Sequence, residues 1–347
     1  MRERKTARER EEALSLIRRL LGLDVRAGTL EALTGGRSGA SVFKVKGLPF
    51  VVKIAPRAEG LKEKANYETF VRPGLPAPCR AELLGCVATR DRAALCYEFV
   101  GGDTLTDRLQ QGDAKALSLV LRRAFDPLRK TWYSPDVIRR QRDIGAYYLD
   151  RFFAGKRGAS KDEAALAACA KRYFGARQKD GGYLIGEDWF PSPCRVLFES
   201  DRKRPYHSAI LHGDLNTDNI VIARDRRRVT LIDFLRTGRG PVYQDLAFLE
   251  ESVRINFPSK GSFDDILETE QAIASGHRLR RDTPYAAAIR TVRAAAFRAF
   301  GRVEDRATYR FAIAALGLRL MEATDLTDVA RARITISALW AAKALTK

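Results

Sequence analysis

Leu211-His212-Gly213-Asp214-Leu215-Asn216-Thr217-Asp218-Asn219, followed downstream by Leu231-Ile232-Asp233-Phe234, is the stretch on which the reading of this chain turns. Asn219 stands five residues after Asp214, and Asp233 stands nineteen after it. The short apolar runs Ile210-Leu211, Ile220-Val221-Ile222 and Val229-Thr230-Leu231-Ile232 alternate with polar loops, and the turn Arg224 to Arg228 predicts a hairpin. Asp214 therefore falls in a loop, and Asp233 at the end of a short strand. That set suits phosphoryl transfer. One loop carboxylate can accept the proton of an attacking hydroxyl, while an amide and a second carboxylate can hold magnesium on a triphosphate. The alternative is a polar loop capped by Asn and Asp. Spacing and sheet context together favour the catalytic reading.

Working outward towards the N-terminus, residues 7–22 place Leu14, Ile17, Leu20 and Leu21 on one helix face. Short β-like segments follow at Leu30 to Leu33, Ser41 to Val45 and Phe50 to Ile54, with Gly35-Gly36-Arg37-Ser38-Gly39 between the first two. A helix-forming run from Glu59 to Val71 ends at Pro73-Gly74. Leu83 to Ala88 and Ala93 to Val100 read as strands, and Gly101-Gly102 breaks the chain. The result is a small sheet with one packed helix. From Thr104 onward the pattern is mostly helical, with a loop-like patch at Lys179-Asp180-Gly181-Gly182. Residues 263–347 return to helix, and no internal repeat is present.

HGDLNTDN followed by LIDF resembles the aminoglycoside phosphotransferase and choline kinase group of the protein-kinase-like superfamily, in which a His-Gly-Asp loop replaces the His-Arg-Asp of most protein kinases. The resemblance implies an α+β, bilobal protein-kinase-like fold, with a small antiparallel-sheet N-lobe carrying one helix and a larger, mainly helical C-lobe. It divides the chain into an N-terminal helix (1–25), an N-lobe (26–100) and a C-lobe (101–347). The C-lobe would hold the catalytic loop 211–219, a metal-binding segment 231–235 and the helical substrate-side regions 113–205 and 255–347. By resemblance Asp214 is the catalytic base, Asn219 and Asp233 are magnesium ligands, His212 supports the loop, and Asp245 braces it. The loop from Leu33 to Val42 would cover the ATP phosphates through Gly35, Gly36, Ser38 and Gly39, since glycines let backbone approach phosphate closely.

Val51-Val52-Lys53-Ile54 looks like the strand that carries the phosphate-binding lysine. Burying an ammonium is costly without a partner, and Glu63 or Glu68 of the next helix can supply one. Glu63 is preferred, because the family's glutamate precedes a Gly-x-Pro break of the kind Gly74-Leu75-Pro76 provides. Tyr97 to Gly102 resembles the hinge whose backbone reads adenine, which puts Glu98 and Val100 at the nucleotide. The sequence departs from protein kinases at Leu235, where they carry glycine, and in the short segment 236–241, which leaves little room for an activation loop. Regions 113–205 and 255–347 match no motif of the group.

Composition bounds the rest. A chain of 347 residues, 45% hydrophobic and 30% charged, suits two lobes sharing a cleft. No apolar run approaches the ~20 residues of a membrane span. Glu3, Glu9, Glu11 and Glu12 interrupt the basic N-terminus, and Arg18-Arg19 break the apolar stretch after it, so the expectation is a cytoplasmic protein without a membrane partner. Five cysteines, none in a CxxC pair, read as free thiols.

The net charge is +19, spread without a dense block, and the segment 206–254 is balanced at 7 basic against 7 acidic residues. A broad positive field favours a neutral or anionic acceptor and allows an acidic protein or nucleic acid partner; the acceptor is expected to be a small molecule before a macromolecule. Polycationic aminoglycosides need acidic clefts. Asp162, Glu163, Asp264, Asp265, Glu268 and Glu270 are the candidates for such a patch. The expected function is ATP- and Mg2+-dependent transfer of the γ-phosphate to a hydroxyl. The alternative is a nucleotide-binding, pseudokinase-like regulatory or scaffold domain that docks an anionic partner.

Overall fold

Lys53 shows how the first sheet is organised. It lies on β3 (Phe50–Pro56), where side chains alternate between faces, so Val52 and Ile54 point one way and Lys53 the other. The computed structural model describes residues 2–23, 26–33, 40–199, 203–258, 261–277 and 283–346. By internal contacts the chain divides into two units, one comprising Met1–Asp103 with Asp218–Gly238, the other Thr104–Thr217 with Arg239–Lys347.

The first unit begins with helix α1 (Arg2–Leu21) and an antiparallel sheet of β1 (Leu30–Leu33), β2 (Ser41–Val45), β3, β4 (Leu83–Ala88) and β5 (Arg92–Glu98), in the order β1-β2-β3-β5-β4. Ala13, Leu16 and Ile17 of α1 bury against Val45, Val52, Ile54 and Ala94, so α1 covers the Val52 face. Helix α2 (Arg57–Asn66) covers the other. Gly60 makes that approach possible, because a Cβ there would sit 2.6 Å from the Ala93 side chain. From α2 the chain continues through a π-turn (Tyr67–Val71) into a last turn at Arg72–Gly74. The Arg224–Arg228 turn does join a hairpin, with Ile220 opposite Leu231 and Ile222 opposite Val229.

The second unit is mainly helical. Helix α3 (Leu105–Gln110) starts with a reciprocal cap between Thr104 and Asp107. Helix α4 (Lys156–Phe174) leads to a feature absent from the sequence reading, which took 113–205 as mostly helical around a loop. That loop is the tip of an antiparallel sheet formed by β6 (Arg177–Lys179), β7 (Gly182–Ile185) and β8 (Asp188–Pro191). Lys179 pairs with Gly182, and the two residues between, Asp180 and Gly181, have φ of 51° and 71°. Positive φ at both positions is the type I′ hairpin turn that Asp-Gly favours.

Strand β9 (Tyr206–Leu211) leads into the His212 loop. Helices α5 (Gln244–Asn256), α6 (Phe263–Ser275), α7 (Pro284–Phe300), α8 (Arg306–Leu320) and α9 (Asp328–Lys343) complete the unit. α8 and α9 are apolar around most of their circumference, as central helices of a bundle are. Among the described residues, no helix is long and apolar enough to cross a membrane.

Candidate active site

The first unit holds a buried cation between two carboxylates. Lys53 is 6% exposed, and its Nζ lies 2.9 Å from Glu63 Oε2 and 2.8 Å from Asp233 Oδ1. Glu63 is 1% exposed and accepts a second hydrogen bond from the Tyr97 hydroxyl at 2.9 Å. Glu63, preferred over Glu68 from the sequence, is the one beside Lys53. Glu68 instead pairs with Lys64, at 3.6 Å on the helix surface. Burial works to lower the Lys53 pKa, but the Glu63 and Asp233 carboxylates outweigh it and hold the ammonium above its ordinary value. Burial pushes the Glu63 carboxyl up, against the pull of Lys53. It pushes the Tyr97 hydroxyl well up too, with Glu63 adding to it.

Asp233 adopts φ of 63°, a left-handed conformation uncommon outside glycine. Its neighbours hold it there. Asn66 Nδ2 donates to the Leu235 carbonyl at 2.8 Å, and the Phe234 ring packs edge-on against Tyr67 at 5.6 Å. Its side chain remains 34% exposed, so the carboxylate can meet solvent or an ion while it holds Lys53. Asn219 ends the 3-10 turn just before the strand Ile220–Ile222, and its carbonyl accepts from the Ile232 amide. A carboxylate and an amide oxygen are the hard donors magnesium takes, so the chemistry of Asp233 and Asn219 fits such an ion.

The sequence reading has no role for Asn66, and it takes Tyr97 as the start of the hinge rather than as a partner of Glu63. Strand parity is the signal for Tyr97, because it pairs with Val51 and so faces the same side as Lys53. Asn66 left no signal, since its partners lie 168 and 169 residues away.

Glu98 sits at the end of β5 with its carboxylate bonded to Arg228 at 3.1 and 3.2 Å. That hydrogen bond holds its pKa below the usual carboxylate value. The Glu98 amide donates to the Glu82 carbonyl. Val100 lies two residues on and is half-buried. Gly35, Gly36, Ser38 and Gly39 lie outside the described residues.

The second unit carries Asp214, half-buried in the loop after β9. Gly213 has φ of 81°, which glycine allows without strain. Asp245, in the first turn of α5, is 1% exposed and accepts from the His212 amide at 2.8 Å and the Gly213 amide at 2.9 Å. The Tyr133 hydroxyl is a third donor at 3.3 Å. Burial raises the Asp245 pKa, opposed by His212 and the two amides. Asn216 closes the loop locally, its amide donating to the Asp214 carbonyl at 2.9 Å.

Solved structures of aminoglycoside phosphotransferases are similar to this chain. A thermostable mutant of aminoglycoside phosphotransferase APH(4)-Ia superposes with a TM-score of 0.50 at 14% identity, over 90% of this chain and 93% of that one. The aminoglycoside phosphotransferase APH(3'')-Id of Streptomyces rimosus gives 0.49 at 19% identity, over 89% and 96%. A protein of Ralstonia eutropha described as a putative aminoglycoside phosphotransferase gives 0.47 at 14% identity, over 91% and 92%. At 14% identity the likeness to APH(4)-Ia is one of fold alone, a mixed α+β arrangement. No protein of curated function matches the sequence significantly. A family model described as ternary complex associated domain 9 matches residues 26–154 and again 153–305, and to that family the chain belongs.

Proposed function

We propose that this protein is an ATP-dependent phosphotransferase that moves the γ-phosphate to a hydroxyl of a small molecule. The observation that carries the reading is the buried Lys53, clamped by Glu63 and Asp233. An ammonium taken out of water needs such partners, and one whose second partner is a part-exposed carboxylate can give up part of that contact to a phosphate while the carboxylate takes a cation. In the proposed reaction Lys53 binds phosphate oxygens, while Glu63 and Tyr97 fix its position. Asp214 accepts the proton of the acceptor hydroxyl as its oxygen bonds to the γ-phosphorus, and ADP leaves. Magnesium, held by Asn219 and Asp233, would neutralise the phosphate charge that develops in the transfer. Gly35, Gly36, Ser38 and Gly39 would cover the phosphates, and the backbone near Glu98 and Val100 would read the base.

The acceptor is not an aminoglycoside in this reading. Of the six acidic residues that were candidates for a polycation patch, four are committed elsewhere. Asp162 is buried, its carboxyl pushed up to about 7 by burial and by the neighbouring Glu322. Glu163 takes the Tyr183 hydroxyl and the Cys194 amide. Asp265 caps α6 through Ser262. Glu270 binds Arg254 and Tyr285. Only Asp264 and Glu268 of the six are exposed and uncommitted to such a contact.

MgATP at millimolar concentration should raise the melting temperature, because a ligand that binds only the native state stabilises it by mass action. Asp233→Ala should reduce that rise. No shift with any nucleotide would refute the reading, and brisk turnover of any aminoglycoside would refute the charge argument. A second reading, a nucleotide-binding scaffold that docks an anionic partner, draws on the family's description, which names association with a ternary complex. Under it, MgATP raises the melting temperature and no phosphate is transferred.

A further inference from the structure

Thr217 lies three residues after Asp214 and is fully buried. Its Oγ1 stands 2.6 Å from Thr106 Oγ1, 2.8 Å from Ser252 Oγ and 2.9 Å from Asn256 Nδ2. The Thr217 amide donates to the same Ser252 Oγ at 2.9 Å. A hydroxyl has one proton and two lone pairs, and that capacity orders the cluster. Asn256 donates to Thr217. Ser252 already accepts from the Thr217 amide and, more weakly, from Asn256 at 3.4 Å, so its own proton goes to Thr217. Both Thr217 lone pairs are then filled, and its proton goes to Thr106. Every hydrogen-bonding position of the hydroxyl is used, in a site closed to water.

The partners come from separate elements. Thr106 is in the first turn of α3, while Ser252 and Asn256 close α5. Thr217 is also the last residue of its stretch of the second unit, and Thr106 is the third residue of the stretch that opens it. The cluster thus ties together two of the places where the chain enters or leaves that unit.

We propose that Thr217 is a positioning residue for phosphoryl transfer: its hydroxyl pins the C-terminal end of the loop that carries Asp214, as Asp245 pins the N-terminal end. This rests on the phosphotransferase reading given above. Without the hydroxyl the C-terminal end loses its ties to Thr106 and Asn256 and keeps the Thr217 amide's bond to Ser252, so Asp214 is held less firmly in its approach to the acceptor proton.

The test uses Thr217→Val and Thr217→Ser in the full chain, with MgATP hydrolysis, water serving as acceptor, as the activity. Thr217→Val keeps the shape and removes the hydroxyl, whereas Thr217→Ser keeps the hydroxyl. Thr217→Val is expected to lower kcat about 10- to 100-fold, the loss that misplacement by an ångström produces, with KM for MgATP changed less than about threefold. Thr217→Ser should stay within about threefold of the parent by the same scale. Amide hydrogen exchange over residues 212–217 should quicken in the Val variant alone.

Equal kcat in parent and Val variant, or loop amides equally protected in both, overturns the proposal. Should the Val variant not fold, Thr106→Val, which removes only the terminal acceptor, replaces it under the same expectations. A parent that neither hydrolyses ATP nor gains melting temperature with MgATP refutes the phosphotransferase reading instead, and the exchange measurement alone then decides whether Thr217 pins the loop.

Discussion

Replacing Lys53 by Met removes the one cation between Glu63 and Asp233 and leaves the shape of the side chain nearly unchanged. Glu63 is then a carboxylate with 1% exposure whose remaining donor is the Tyr97 hydroxyl. Breaking a buried ion pair from one side costs about 3–5 kcal/mol. The lower end applies here, because Tyr97 still donates and Asp233 is 34% exposed and can rehydrate. The cost has a pH dependence that separates it from lost packing. The Glu63 pKa is already above the ordinary 4.5 with Lys53 present, and it rises further without it.

A carboxyl whose folded value exceeds its unfolded value loses stability as pH climbs from the unfolded value to the folded one, by up to about 1.4 kcal/mol per unit. Lys53 in the parent adds no slope below pH 8, since its raised value lies above 10.5 and it stays charged. The deficit of Lys53→Met should therefore be about 1 kcal/mol at pH 5 and about 3 kcal/mol or more at pH 8. Lys53→Met/Glu63→Gln should abolish most of that difference between the two pH values.

Urea titration with hydrogen exchange of the β3 amides is the suitable assay, because Trp132, Trp189 and Trp340 all belong to the other unit and report on it. A deficit under about 1 kcal/mol at pH 8, or one equal at both pH values, would show that Lys53 is not the charge holding Glu63 ionised.

Asp214→Asn should cut phosphate transfer by about 10²–10⁴, the usual contribution of a general base, while the MgATP-induced rise in melting temperature stays intact; parental turnover in this variant would remove Asp214 from the mechanism. Glu251 is pushed up to about 8 by burial, against the pull of Arg254, so it holds its proton at neutral pH and stability should fall as pH rises from about 4.5 to about 8. Glu251→Gln should flatten that fall, a relative gain on the order of 4 kcal/mol across the window, and a stability difference independent of pH would refute it.

The sequence disclosed those parts of the molecule whose chemistry is local. Asp214, Asn219 and Asp233 stand at fixed spacings, the strand around Lys53 is short and apolar, and Gly-x-Pro marks the end of the α2 region. What it hid was set by partners distant along the chain. Glu250 and Arg254 have the i, i+4 spacing of an exposed surface pair, yet Arg254 is fully buried. Glu270 arriving from α6 adds a carboxylate to Arg254, and Arg293 from α7 balances Glu250, so the burial is tolerable. For the same reason Glu270 looked like a candidate for a surface patch and is an interior ion. The Asp180-Gly181 turn was legible in principle. Its signal was overridden by the helical pattern around it, although Asp-Gly between short strand-like runs is a strong local sign of a hairpin.

Helix α5 explains how the Asp214 loop and the buried ions belong to one design. Successive residues of an α-helix turn by about 100°. Counted from Asp245, Ser252 lies within about 20° of the same direction, as does Asn256. These are the residues that hold the two ends of the loop, Asp245 at His212 and Gly213, Ser252 and Asn256 at Thr217. Glu250, Glu251 and Arg254 fall about 140–240° away, on the opposite side. There Arg254 bonds Glu250 at 2.7 Å and Glu270 at 3.1 Å, Arg293 bonds Glu250 at 2.8 Å, and the Tyr309 hydroxyl bonds Glu250 at 2.6 Å. Packed Leu and Ala side chains already resist a roll of the helix, although each contact is weak and non-directional. Fixed ion pairs do not allow it, because each buried charge left short of its partner costs several kcal/mol. The network on one side of α5 therefore fixes its rotation, and the rotation sets where Asp245 and Ser252, about 10 Å apart along the axis, place the loop. Carboxylates and guanidinium groups deep in the bundle thus act on the Asp214 loop without touching it, through a helix whose opposite faces both carry polar commitments.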